Sequence, residues 1–479
     1  RMGEYLEQEY GGNLQEYYEL LAHHYSRSGD DEKSWDYLVK AGDDARAKYA
    51  NEAAIAHYQH ALSLDVERED KYRVYESLGD VYRLIGQYEQ ALTSYRAALD
   101  ARPPTPAHIA DIRRKIAKTW ELQGRYEEAM NYLDLTKASL EGEHETLEMA
   151  RIYSDMGWIA RRRGEYEESL RLCAQGLEIV HRLPETQDTR QVLAELQHTL
   201  GTTYWRMGDY ERAIAHIQAC IEVRESLGDL YGMSRSYNNL AVVYGSRGDF
   251  DLAAQYIRKS LEIGQRIGNA YGTAMCYANL GVVDYTLGNY RRAVEHYEHS
   301  LAIRQEIGDT QGIADLYNNL GEVHYALGNH REAIYYLQEA IRLFTELGDK
   351  ATLVEAHKLL AEVELELGDI AHAREHCTRS LALAQEIANQ EYEGTIQRVL
   401  GLISRAGGQD DETIEHLRRS VEILATTGNR LELGRSYYEL GLMLKKTGRD
   451  GQAELERAAQ IFDELGIEGE AEKARAAMR

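Results

Sequence analysis

Three asparagines stand forty residues apart, Asn239, Asn279 and Asn319, and two of them have a second asparagine alongside, Asn238 and Asn318. A side-chain amide both donates and accepts hydrogen bonds, so amides repeated along one surface can pair with the backbone of an extended peptide. Asparagine is a weak helix former, and three in one register need a reason besides folding. Two reasons compete: either the amides hold a ligand, or duplication copied them and they bond to the neighbouring helices.

Residue patterns for covalent or metal chemistry are absent from the sequence. No G-x-x-x-x-G-K-[ST], H-E-x-x-H or G-x-S-x-G occurs. His372 and His376 lie four apart with Cys377 adjacent, but Ala373 rather than Glu follows His372, so they read as outer-face histidines. His23-His24, His57/His60 and His296/His299 read the same way, and Gly245-Ser246-Arg247-Gly248 reads as a turn. The expectation is a chain with no catalytic residues, no cofactor and no metal.

The asparagines belong to a period. A small residue returns as Gly79, Ala117, Gly157, Gly201, Ala241, Gly281, Gly321, Ala361, Gly401 and Gly441, and from Gly201 the gap is always 40. Such regularity means stacked helical units rather than a single globular core. Within one unit, Ala274, Tyr277, Leu280, Gly281 and Tyr285 stripe a first helix at three- and four-residue spacing, and Leu287-Gly288-Asn289 ends it. Tyr290, Ala293, Tyr297, Ser300, Leu301 and Ile307 stripe the second helix, closed by Gly308-Asp309. Gly281 and Ala293 are small because the two backbones approach there, and Ala241 in the Gly281 place implies that a methyl is tolerated. At Ala388-Asn389 the closing pair lacks glycine, and Asn389 is expected to supply the left-handed residue.

Only four prolines occur and strand-like alternation is missing, so the class is all-α. The net charge of −25, from 80 acidic and 55 basic residues, repels phosphate backbones and argues against a nucleic-acid partner. It suits either a basic protein segment or a solvated outer face. Cys173, Cys220, Cys276 and Cys377 are widely spaced and read as reduced core thiols in a cytoplasmic protein. No apolar run approaches 18 residues, so no membrane association is expected. The opening Arg1-Met2 reads as part of a longer chain.

The series Tyr75, Leu78, Gly79, Tyr82, Gly86, Tyr88, Ala91, Tyr95, Ala98 resembles the tetratricopeptide repeat, with Asp284, Glu364 and Ser404 departing at the first-helix tyrosine. The usual period is about 34 residues; the extra six lengthen the second helix, as in Pins-type adaptors, kinesin light chains and MalT-like sensor arrays. The resemblance implies a right-handed α-solenoid. Its parts are an off-period helical leader over 1–70, with helices Leu14 to Arg27, Asp31 to Tyr49 and Asn51 to Leu64; ten units over 71–466; and a capping helix over 467–479. The leader's Glu19 to Tyr25, Lys40-Ala41-Gly42 and Ala61-Leu62 are similar to the start of the repeat region in bacterial signalling ATPases of the STAND or cyclase-linked type.

The same resemblance implies that first helices line a concave groove and that the residue two before the small residue faces it. Groove candidates are therefore Arg235, Asn238, Asn239, Val242, Asn279, Tyr285, Asn318, Asn319, Glu322 and Tyr325. Met275 and Asp315 stand where a carboxylate clamp needs cations, so that clamp is incomplete. Secondary patches are basic-aromatic at Arg151, Trp158, Arg161 and Arg162, acidic at Glu355, Glu362 and Glu366, and basic at Arg398, Arg405, Arg435, Lys445 and Lys446. Segmented charge suits a long ligand held in one direction, or else inter-repeat ion pairing. The functional expectation is a non-enzymatic scaffold binding a protein or peptide segment. The alternatives are a sensor arm, recognising an inducer or restraining an upstream ATPase domain, and an array that self-assembles through its ends.

Overall fold

The computed structural model describes residues 2–10, 14–48, 50–103, 105–140 and 146–479; Tyr49 and Pro104 lie outside them. Among the described residues there are 25 α-helices, a 3-10 turn and no strand. They form two compact units, Arg1–Val243 and Tyr244–Arg479, and each is an α-solenoid of stacked helical hairpins.

The first unit holds the hairpins Asp31–Ala47/Asn51–Ser63, Lys71–Leu84/Tyr88–Asp100, Pro106–Leu122/Tyr126–Ser139, Leu147–Arg162/Tyr166–Arg182 and Gln187–Arg206/Tyr210–Leu227. The second holds Ala270–Thr286/Tyr290–Ile307, Thr310–Ala326/His330–Leu347, Lys350–Glu366/Ile370–Glu386, Gln390–Ala406/Asp410–Thr427 and Arg430–Lys446/Gln452–Glu464. The helix Glu468–Met478 closes the second unit, burying Ala471 and Ala474 beside Phe462. At the other end, the expected helix from Leu14 is a 3-10 turn, Leu14–Tyr17, before the helix Tyr18–Ser28. An unanticipated helix, Met2–Glu9, is tied on by Glu7, which accepts from Lys33 Nζ at 2.7 Å and Tyr37 Oη at 2.6 Å.

Hairpin geometry follows from a pairing sixteen residues apart. A Cβ placed on Gly281 would lie 2.4 Å from Tyr297 Cε1, one on Gly321 2.6 Å from Leu337 Cγ, and one on Gly157 2.6 Å from Cys173 Sγ. These glycines leave no room, as the helices stand, for the methyl expected from Ala241, whatever the partner's type. Where the first helix carries Ala117 or Ala361, the residues sixteen on are Leu133 and Cys377, each packed in the same core as its alanine. A second tie recurs without a signal in the hydrophobic stripe: Ser300, Ser380 and Ser420 each donate to a first-helix carbonyl, of Ala274, Val354 and Gly394, at 2.7–2.8 Å.

Between hairpins the closing pair divides the work. Gly308 takes φ 70°, which a side chain disfavours, and Asp309 N–H returns to Arg304 C=O at 3.0 Å. Asp309 then caps the next helix through Gly312 N–H at 3.1 Å and pairs with Arg304 at 2.6 Å. At the exceptional pair the left-handed residue is Ala388 itself (φ 53°), whereas Asn389 has φ −97° and caps the next helix through Tyr392 N–H. Asn389 is thus not the left-handed residue expected: the cap needs a side-chain oxygen, which alanine lacks.

Candidate functional site

Each first helix presents four places at a fixed offset from its small residue: six, three and two before it, and one after. In the first unit, side chains from these places on successive first helices converge on a cavity of about 190 Å³. Lys118 follows Ala117; Ser154, Asp155 and Trp158 surround Gly157; Glu195, His198 and Thr199 precede Gly201; and Arg235 lies six before Ala241. Leu133 and Arg224, from second helices, also line it, and both are buried.

Trp158 is the wall of this cavity. Its indole Nε1 donates to Glu121 Oε1 at 3.2 Å, the Arg161 guanidinium lies 4.2 Å from its ring centroid, and the His198 ring stacks at 6.0 Å and 24°. His198 is 7% exposed and its Nδ1 has no hydrogen-bond partner. Burial first, then the positive fields of Arg224, Arg235 and Arg161, hold its pKa down at about 3, so the imidazole is neutral. Burial, with Arg162 and Arg206 nearby, also lowers the pKa of Arg161, whose buried Nε lacks a partner. Asp155 is paired with Arg114 at 2.6 Å, and burial beside Asp155 raises the Glu195 pKa. Of the sequence-selected basic-aromatic patch, Trp158 lines the cavity and Arg161 backs it. Arg162 reaches Tyr126 Oη at 3.0 Å, and Arg151 stands 3.8 Å from Asp188.

Sequence reasoning selected Arg235, Trp158 and Arg161 but passed over Lys118, Asp155, Glu195, His198 and Arg224. The register held the signal: His198 occupies the place of Asn238 and Asn318, and Glu195 that of Arg235. Arg224 gave none, since the equivalent second-helix places carry Gly264, Phe344 and Ala384 as well as Arg304. Of the remaining first-unit candidates, Asn238 is buried, while Asn239 and Val242 are half-buried.

In the second unit the candidates lie on successive first helices. Tyr285 Oη donates to Glu322 Oε1 at 3.0 Å across one repeat boundary, and Tyr392 Oη to Glu355 Oε1 at 2.5 Å across another. Burial raises the Glu322 pKa, and Glu355 and Glu362 push it the same way. Burial, then Glu366 and Glu362, lift the Tyr325 hydroxyl to about 12. Asn279 and Asn319 are half-buried, and the Oδ1 of Asn318 is buried without a hydrogen-bond partner. The basic patch beyond is occupied by its own chain. Arg398 pairs with Glu432 at 2.8 Å, Arg405 with Glu439, Arg435 with Glu432 at 2.8 Å, and Lys446 with Asp410 at 2.9 Å, while Lys445 donates to the Ala477 carbonyl at 2.6 Å.

His372 is exposed and bound to Asp369 at 2.8 Å. His376 is not the surface histidine expected: it is half-buried, its Nδ1 is 3.0 Å from His357 Nδ1, and its Nε2 is 3.7 Å from Glu364. His296, also expected at the surface, is likewise half-buried, its Nε2 3.4 Å from Asp284. Among the described residues no group of three or more His, Cys, Asp or Glu is arranged to hold a metal ion. All four cysteines are buried and free, and no helix among the described residues is long and apolar enough to cross a membrane.

Tetratricopeptide repeat profiles match residues 39–106, 78–143, 148–226, 192–266, 232–306 and 312–386. The photosystem I assembly protein Ycf3 of Synechococcus sp. (strain CC9311) is 29% identical over 84 residues, 17% of this chain and 49% of that protein, so the match spans about half of the relative. Among solved structures, apo RapI superposes with TM-score 0.59 at 16% identity, covering 77% of this chain and 98% of RapI. A Pyrococcus horikoshii signal transduction ATPase with numerous domains, which carries a tetratricopeptide repeat sensor, superposes with TM-score 0.53 at 17% identity, covering 86% of this chain and 56% of its own. At these identities the superpositions show the fold alone. The sequence profiles cover most of the chain, and the chain belongs to the tetratricopeptide repeat family.

Proposed function

We propose that the second unit binds an extended, basic segment of a partner protein along its first-helix face. Tetratricopeptide repeat proteins bind protein or peptide partners, which makes a protein-interaction scaffold the general reading. The observation that carries the finer one is the acidic series Glu322, Glu355 and Glu362, whose members raise the pKa of Glu322, beside the unpartnered Asn318 carbonyl oxygen. Like charges gathered on one face are relieved by an opposite charge, and an orphaned amide oxygen is satisfied by a backbone N–H. A scaffold of this kind carries no catalytic step.

The test is capture of partner proteins from host extract by the immobilised full chain. The variant Asn318→Ala/Asn319→Ala/Glu322→Gln/Glu362→Gln should lose most of the captured partner, and added salt should weaken capture by the parent chain. Equal capture by variant and parent would refute the assignment. A second reading, the sensor arm of a larger signalling ATPase, is favoured by the extent of the superposition on the P. horikoshii protein. It requires a nucleotide-binding P-loop in the same polypeptide, which sequencing the gene upstream of Arg1 decides.

A further inference from the structure

The first-unit cavity has a different chemistry from the acidic face. Leu133, 0% exposed, and the buried Arg224 lie at its base, so it is deeper than a furrow between first helices. Its charges are unevenly matched. Asp155 is paired with Arg114, Glu121 receives the Trp158 N–H, and burial holds the Glu195 carboxyl towards its neutral form. The cations have no such partners: Lys118, Arg235 and the adjoining Arg161 make no ion pair or hydrogen bond among the described residues. A chain of net charge −25 thus gathers unpaired cations at one concave point. Burying a guanidinium or an imidazole without partners is costly, and His198 Nδ1 is such a group, nine-tenths buried on the cavity wall.

We propose that this cavity binds a small organic anion, whose carboxylate or phosphate group is held by Arg235, Lys118 and the His198 ring and whose flat or apolar body lies on Trp158 and Ile159. Arg224 is the more rigid part of the site, fixed by donation to the Gly232 carbonyl at 2.6 Å and Ser236 Oγ at 2.7 Å. The volume suits a molecule of about ten non-hydrogen atoms, too small for a folded partner. Because every lining residue belongs to the first unit, the site stands or falls separately from the acidic face of the second.

The experiment uses the full chain with three probes: inorganic phosphate, benzoate and phenyl phosphate. Calorimetry and tryptophan fluorescence should show saturable binding of benzoate or phenyl phosphate, tighter than for phosphate, with the stronger of the two identifying the oxyanion. Arg235→Ala and Lys118→Ala, both at exposed positions, should weaken binding at least about tenfold. Trp158→Phe should remove the fluorescence response, and Arg435→Ala, in the other unit, should change nothing. Absence of saturable binding for all three probes up to about 10 mM overturns the proposal. So does undiminished affinity in the Arg235 and Lys118 variants, or phosphate binding that the phenyl group does not improve.

Discussion

Gly281→Ala should destabilise the chain although alanine is the better helix former. Replacing a mid-helix glycine by alanine ordinarily gains about 0.5–1 kcal/mol. Here the new methyl would sit 2.4 Å from Cε1 and 2.5 Å from Cδ1 of Tyr297, against the body of a buried ring. Overpacking of that kind costs about 1–3 kcal/mol, so the net expectation is a loss of about 1 kcal/mol. Gly245→Ala is the contrasting substitution: Gly245, expected in a turn, lies instead in the last turn of the helix Leu230–Arg247, and its Cβ would meet only Ala253 Cβ at an ordinary 3.9 Å, so it should stabilise by about 0.5 kcal/mol. Tyr297→Ala makes room for the methyl by removing the ring atoms it would meet. The double variant Gly281→Ala/Tyr297→Ala should therefore be more stable than additivity predicts, by about 1 kcal/mol or more. Because repeats unfold with their neighbours rather than all together, denaturant midpoints should be read alongside hydrogen exchange in Ala270–Thr286 and Tyr290–Ile307. A stabilising Gly281→Ala, or a double variant within about 0.3 kcal/mol of additivity, would refute the steric account.

Three further substitutions follow from local geometry. Burial lifts Glu364 to about 7 and its Oε2 has no partner, so the stability its neutral form contributes is complete below the ordinary carboxyl pKa and lost as pH rises through 7. Glu364→Gln should remove that loss, gaining about 1–2 kcal/mol over the parent at pH 8 after solvent screening, and nothing at pH 4; equal pH profiles in urea titrations would contradict it. Ala388→Gly relieves a φ of 53° and should raise stability by about 1 kcal/mol in thermal unfolding. Ser380→Ala removes the bond to the Val354 carbonyl and should cost about 1 kcal/mol without altering helicity by circular dichroism, since Ala340 already occupies the equivalent place.

The hairpins were legible because their signal is local and repeated. Gly281, Gly288 and Gly308 mark the crossing, the turn and the close of one unit, and each has a counterpart forty residues on. The closeness of each crossing was harder to read: a methyl at Gly281 would meet Tyr297 and one at Gly157 would meet Cys173, whereas Ala361 is accommodated beside Cys377. The role of Asn389 was misassigned because residue preference for a left-handed backbone is weaker than the need for a capping oxygen. For the site, the register was visible but its occupants were judged one repeat at a time. His198 looks unremarkable in its own helix and gains meaning only beside Trp158, forty residues earlier, and Arg235, on the following first helix.

What separates a proposed binding position from a structural one here is satisfaction rather than residue type. Arg398 and Arg235 are both arginines on first helices, yet Arg398 is locked to Glu432 at 2.8 Å with both side chains largely buried, and Arg235 has no acid to meet. Binding a ligand at Arg398 would thus mean breaking the array's own cross-repeat bond, whereas a ligand at Arg235 would gain a contact without that cost. The same distinction applies to amides and imidazoles. An orphaned buried polar atom costs about 1–3 kcal/mol, and a solenoid whose stability is summed from neighbouring interfaces can carry a few such losses without unfolding. Of the orphans, those at His198, Arg161 and Asn318 fall on first helices beside the two proposed sites, while others, such as those at Arg304 and His330, lie on second helices. Orphan status alone therefore marks no site; under the two proposals, the orphans at His198 and Asn318 would gain partners in the bound state, which those at Arg304 and His330 would not.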